Sequence, residues 1–269
     1  PELVLAMFNT FELCEEFDIE REILARFVGR VLDNYRDNPY HNAYHAVQVV
    51  HSVFLILLHC ERVKTSLSSL DVLALLIAAV CHDVDHRGTN NAYHMSLCDE
   101  LALQYNDTSV NEQHHCRLTF AILEVPGCEV LQNLSVTERR TVRARSSPLP
   151  VPHAATGGAI FSFNRSSANA GAARCATASH TLRLARILMP VLTSPPFIAL
   201  CALAPQVRKL VIGCIMSTDM SQHHKGIAKL RNHLEHDFSP ESMDDRLLLC
   251  SSILHAADLS SPSLEFKLA

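Results

Sequence analysis

No CxxC pair, no strand-like alternation and no excess of basic charge occur in this 269-residue sequence, and each absence removes a class of protein. A formal net charge of −5 and a pI near 6.4 exclude a broadly basic nucleic-acid surface. The lack of period-2 hydrophobic alternation leaves an all-α class, and 48% hydrophobic residues suffice for a sizeable core. Ten cysteines are present, but Cys14, Cys60, Cys81, Cys98 and Cys250 fall inside apolar helical patterns, where a free thiol acts as a small hydrophobe. They read as reduced thiols of a cytosolic protein rather than a disulfide framework. Neither an initiator Met nor a signal peptide precedes Pro1-Glu2, and Phe266-Lys267-Leu268-Ala269 carries no helix stop, so the chain reads as a fragment.

Acid and lysine are missing altogether from residues 143–206, whose only charges are Arg143, Arg145, Arg165, Arg174, Arg183 and Arg186. Ala, Ser, Pro and Gly fill much of the rest, as in SSPLPVPHAATGGA and SSANAGAARCATASH. The apolar end, Ile187 to Ala204, has the hydropathy of a membrane span, but Pro190, Pro195 and Pro196 oppose a continuous helix there. Val142-Arg143 recurs as Val207-Arg208, and removing one copy with everything between them leaves ERRTVRKLVIGCIMSTDM, a good amphipathic helix. Residues 143–206 are therefore expected to be an insertion, disordered or poorly packed, inside a domain made of 1–142 and 207–269. A lineage-specific loop and translated non-coding sequence are both open as its origin.

Elsewhere helical periodicity dominates. Residues 3–35 read as helical, with Asp18 the expected N-cap of a helix from Ile19 and Asn38-Pro39 ending the segment. Further helices are expected at 44–59, 69–81, 91–105, 109–124, 207–217, 221–236 and 241–257. The 69–81 segment is apolar nearly all round and belongs in the centre of a domain.

Histidines and aspartates cluster at the ends of these segments. Asp85 and His86 extend His82-Asp83 to H-D-x-D-H, and Gly88 then permits a sharp turn. Capping explains a lone His-Asp pair; four ionisable groups in five residues call for partners. His41 and His45 stand at i and i+4, on one face if helical, and Asp258 ends an apolar helix. Asp219 alone reads as a helix cap, and Glu112-Gln113-His114-His115 as a solvated face. Imidazole plus carboxylate, without a convergent cysteine set, is the ligand chemistry of a hydrolytic zinc, magnesium or manganese site.

In this order the stretches NPYHNAYHAVQVV, AAVCHDVDHRGTNNAYH, ELALQYNDTSVNEQHH, MSTDMSQHH and ILHAADLSSP resemble the catalytic domain of class I cyclic-nucleotide phosphodiesterases, a branch of the HD-type metal phosphohydrolases. The resemblance implies a compact all-α domain that hydrolyses 3′,5′-cyclic nucleotides to 5′-monophosphates with two divalent ions. His45, His82, Asp83 and Asp258 would hold zinc, and Asp83 would also reach a second ion, magnesium or manganese. His41 would be the general acid, oriented by Glu112, while Tyr40, His86, Glu112 and Thr218 would support the ions or the substrate. No nucleic acid or transmembrane segment is implied, and the location is cytoplasmic unless regions outside the chain add membrane contact.

Three departures stand out. Arg87 occupies the usual Pro of H-D-x-D-H-P-G and is expected to loosen the turn without removing a ligand. Ser261 replaces a common Asn, and the chain stops before the family's base-pocket segment, so the choice between cyclic AMP and cyclic GMP is not written here. A catalytically silent or misassembled phosphodiesterase fragment and a different HD-type phosphohydrolase are the alternatives.

Overall fold

A computed structural model describes residues 1–134, 205–235 and 238–260. The charge-poor segment up to residue 204 and Ser261 lie outside the described residues. Among the described residues the structure is helical, without strands: α1 (Glu2–Thr10), α2 (Leu13–Glu16), α3 (Arg21–Asp33), α4 (Ala43–His59), α5 (Glu61–Ser66), α6 (Ser69–Cys81), α7 (Asn91–Leu97), α8 (Glu100–Tyr105), α9 (Val110–Leu123), α10 (Pro205–Met216), α11 (His223–Glu235) and α12 (Met243–Asp258). None of these helices is long and apolar enough to cross a membrane.

The apolar α6 is the axis of the domain, as its composition requires: Val72 to Cys81 are fully buried. Its start is set by a capping box, Ser68 receiving the Asp71 amide while the Asp71 carboxylate accepts from the Ser68 amide. Around it pack α10, α4 and α12, with α10 also lying on α12 and α9. Gly213 on α10 permits that approach, since a Cβ there would stand 2.6 Å from Leu247 Cδ1 of α12. Arg246 of α12 reaches the buried Asp71 of α6, Nε to Oδ2, at 3.0 Å and ties the C-terminal helix to the axis.

The expected elements reappear with several corrections. The 3–35 stretch is three helices, broken where Glu12 and Asp18 take φ of 54° and 52°. Glu20, not Asp18, precedes α3, and Asp18 instead turns the chain, its carbonyl accepting from Asn133 at 2.7 Å. The 91–105 segment divides at Cys98, φ 48°, and Asp99 restarts it by capping the Ala102 amide. Cys60 and Cys98 are exposed rather than core, whereas Cys81 and Cys250 are buried as expected. His41 lies in the turn before α4, so it and His45 do not share a helical face.

Candidate metal centre

Three helix ends deliver the central side chains to one point. His82 and Asp83 follow the last turn of α6, His45 lies in the first turn of α4, and Asp258 closes α12. Asn42 fixes the entry of α4, its Oδ1 accepting from the Tyr44 and His45 amides at 2.9 and 3.2 Å. Tyr35 braces the end of α6, its hydroxyl donating to Val80 O at 2.9 Å and accepting from the Asp83 amide at 3.3 Å.

His45 Nε2 stands 3.0 Å from Asp258 Oδ1 and 3.2 Å from His82 Nε2, and His82 Nε2 stands 3.3 Å from Asp83 Oδ2. One donor atom from each of these four residues lies within 4.8 Å of the others. His82 Nδ1 is 2.9 Å from Ala79 O, which can only accept, so Nδ1 carries a hydrogen and Nε2 is the nitrogen that faces the centre. Despite burial, the Asp258 and Asp83 carboxylates hold His45 above its ordinary range and His82 well above it. Conversely, despite burial, the facing imidazoles hold Asp83 and Asp258 well below the usual carboxylate range. Such a buried field retains positive charge among the four groups, and a divalent ion fits both the charge and the donor set.

A second group shares Asp83. His86 and His115 join it, again with donor atoms within 4.8 Å of one another. His115 Nδ1 donates to Val84 O at 2.8 Å, which leaves Nε2 buried, without a hydrogen-bond partner and 3.6 Å from Asp83 Oδ1. A bare lone pair facing a carboxylate needs a cation or a water between them. Burial keeps both rings neutral, pushing His115 down to about 3 and His86 to about 4.

The proposed proton donor lies against this group: the His41 ring is stacked on His86 at 3.9 Å and stands edge-on to Tyr40 at 4.9 Å. Asn38 locks the two histidine-bearing turns together, donating to His41 O at 3.0 Å and to His86 O at 2.8 Å. Burial pushes His41 below its ordinary range, opposed by Asp83. The half-exposed Tyr40 also lies over His45 at 4.7 Å. Glu112 Oε2 accepts from Asn91 Nδ2 at 2.9 Å, a different partner from the His41 expected of it. Burial, with Asp219 and Asp83 nearby, pushes Glu112 up to about 7. Thr218 is buried, its hydroxyl donating to Ile215 O at 2.8 Å.

Sequence reasoning left several groups without a part. Asp85, at φ 61°, is clasped from behind by Arg36 Nε at 2.7 Å and His114 Nε2 at 2.9 Å, so the turn is anchored through its middle residue. His114 and His115 were open to reading as a solvated face and are buried. Asp219 does cap the following turn, accepting from the Ser221 amide at 2.8 Å, and also holds Ser109 of the loop before α9 at 2.6 Å. Two adjacent histidines directly before the apolar C-terminal half of α9 were the available signal for this side of the site.

Fold and site together define a helical domain whose His/Asp cluster is able to hold divalent ions. The family model for 3′5′-cyclic nucleotide phosphodiesterases matches residues 40–147 and 193–269, and the chain belongs to that family. It is similar to the human high affinity cGMP-specific 3′,5′-cyclic phosphodiesterase 9A, 39% identical over 128 residues, covering 48% of this chain and 21% of that protein. A 3′,5′-cyclic-AMP phosphodiesterase of Drosophila melanogaster is 26% identical over 265 residues, 96% of this chain and 30% of the fly protein. Among solved structures, the phosphodiesterase domain of the RhoPDE fusion protein from the choanoflagellate Salpingoeca rosetta superposes with a TM-score of 0.68 at 29% identity, covering 98% of this chain and 63% of that one. The chain thus spans less than a third of the curated relatives it matches.

Proposed function

We propose that this chain is the catalytic part of an enzyme that hydrolyses 3′,5′-cyclic nucleotides, cyclic AMP or cyclic GMP, to 5′-monophosphates. The observation that carries the reading is the convergence of His45, His82, Asp83 and Asp258 beside a second group built on the same Asp83. Family membership and the names of the relatives support the reaction class.

In this reading His45, His82, Asp83 and Asp258 would hold zinc, and Asp83 would also reach magnesium or manganese in the second position. Bound divalent ions supply activated water near neutral pH and neutralise charge building on the phosphoryl oxygens. The protein's own part is to aim and to move protons. His86, His115, Glu112 and Thr218 would support the second position and orient what binds there. His41 gives its proton to the departing O3′; burial makes it a ready donor, and the arriving phosphate anion favours its protonated form. Tyr40 shields the imidazoles from bulk water.

The companion proposals are an insertion at 143–206 within the domain and a cytosolic setting. The break in the family match between 147 and 193 supports the first, and the usage of cysteine supports the second. The test is an assay of the zinc- and magnesium-loaded chain on cyclic AMP, cyclic GMP and deoxynucleoside triphosphates. Turnover of a cyclic nucleotide, abolished by chelation, is expected. Hydrolysis of triphosphates alone would overturn the reading.

A further inference from the structure

Arg87 does not leave its turn loose. The guanidinium reaches back to two side chains at the start of α8, Nη1 to Asp99 Oδ2 and Nη2 to Glu100 Oε2, each at 3.9 Å. The same Asp99 oxygen lies 2.6 Å from His94 Nδ1, and His94 Nε2 lies 3.0 Å from Thr89 Oγ1. A carboxylate only accepts, so His94 Nδ1 carries a hydrogen, and Nε2 pairs with the Thr89 hydroxyl. Hydrogen bonding is therefore continuous from Thr89 through His94 to Asp99, across an imidazole that is almost fully buried. The other Asp99 oxygen is occupied by the Ala102 amide at 3.0 Å, which roots the relay in a helix. On the far side, Thr89 O accepts from Asn111 Nδ2 of α9 at 2.9 Å.

Both residues held in this way flank Gly88, whose φ of 80° places its amide 2.9 Å from His86 Nδ1. That amide can only donate. It therefore keeps the hydrogen off His86 Nδ1 and leaves it on Nε2. The tautomer of His86 thus depends on where a single glycine amide is held.

We propose that Arg87, Asp99, His94 and Thr89 form a positioning network that clamps Gly88 from both sides and fixes His86 in the Nε2–H tautomer. His86 is thereby a hydrogen-bond donor toward whatever is bound beside Asp83, not a ligand in its own right. The inference rests on the proposed function for its consequence in catalysis but not for the tautomer itself, which can be measured without turnover.

The experiment is nitrogen-15 NMR of histidine-labelled full chain, with His86 assigned by its loss in His86→Gln, alongside steady-state kinetics of the zinc- and magnesium-loaded protein. Thr89→Val removes only the hydroxyl and is nearly isosteric; His94→Leu removes the relay; His94→Gln keeps a polar partner for Thr89. In the unaltered chain His86 Nδ1 is expected to resonate as an unprotonated nitrogen. Thr89→Val and His94→Leu are expected to give a mixture of tautomers and a several-fold lower kcat with KM nearly unchanged, and His94→Gln to restore both in large part. An unaltered His86 spectrum in Thr89→Val and His94→Leu would overturn the proposal and reduce the network to a cap joining α7 and α8. Should His94→Leu fail to fold, Thr89→Val alone decides. A shifted tautomer in a chain without turnover would sustain the network while sinking the proposed function.

Discussion

His45 and His82 face each other Nε2 to Nε2 at 3.2 Å, although 37 residues separate them in the chain. Two imidazole nitrogens at that distance tolerate one another only around a shared proton or a cation, and two carboxylates lie within reach of both. Asp83 is the member common to both groups of donors. Asp83→Asn keeps the shape and removes the charge. Dialysed wild-type chain is expected to retain two equivalents of divalent ion and Asp83→Asn fewer than one, as read by atomic absorption. Hydrolysis of cyclic nucleotide should fall at least about 100-fold. Full metal content in the variant would show that the ions, if bound, bind elsewhere.

Glu112 gives a pH signature that does not depend on turnover. Its carboxyl is pushed from the ordinary 4.5 up to about 7, by burial first. A carboxylate raised in the folded state binds a proton that the unfolded chain has already lost, so it lowers stability as pH rises from about 4.5 to 7 and leaves it unaffected below 4.5. Linkage puts the penalty above pH 7 on the order of 3 kcal/mol. In the presence of a chelator, Glu112→Gln should therefore stabilise the chain at pH 8 and change little at pH 4, as read by urea denaturation. An equal effect at both pH values would dissociate the residue from this titration.

The pair Arg246–Asp71 couples the C-terminal helix, and with it Asp258, to the central α6. Asp71 is fully buried, and Arg246 Nη1 also donates to Pro240 O at 2.7 Å. Removing one member strands the other, at roughly 3–5 kcal/mol. Arg246→Met is expected to cost about that much and to weaken ion binding, since Asp258 rides on the same helix. Arg246→Met with Asp71→Leu should cost clearly less than the single change, and denaturation midpoints of the three variants measure the difference.

Legibility followed sequence distance. The central helix was readable because Val72 to Cys81 form an uninterrupted apolar run, and the H-D-x-D-H turn because four ionisable groups cannot be left buried without partners. The break between α7 and α8 was not readable, because Cys98 takes a positive φ that nothing in its side chain announces. Nor were the long-range anchors. Asn38 bonds to both His41 and His86, 3 and 48 residues away, and as a sequence letter it is only a turn residue before Pro39. His114 and His115 show the limit most plainly. Neighbouring identical residues point different ways on α9, one to the carboxylate of Asp85 and one to the carbonyl of Val84, and only the packed helix decides which faces Asp83.

The duplicated Val-Arg makes the charge-poor segment testable as an insertion. In the structure Val207 is fully buried on α10, and the Arg208 guanidinium lies 4.4 Å over the ring of Phe120 on α9. Deleting residues 144–208 joins Val142-Arg143 to Lys209, so that Val142 inherits the buried place and Arg143 the place over the ring, with the register of α10 unchanged. Every contact of α10 from Lys209 onward is then preserved, including Leu210, Val211 and Cys214 against the core. An insertion foreign to the domain contributes no contacts that the domain needs. The deleted chain should therefore unfold at a temperature no lower than the full chain, take up at least as much divalent ion, and hydrolyse cyclic nucleotide at least as fast. Differential scanning calorimetry and metal analysis of the two chains make the comparison. Loss of cooperative unfolding on deletion would instead assign residues 144–208 a structural part in the domain.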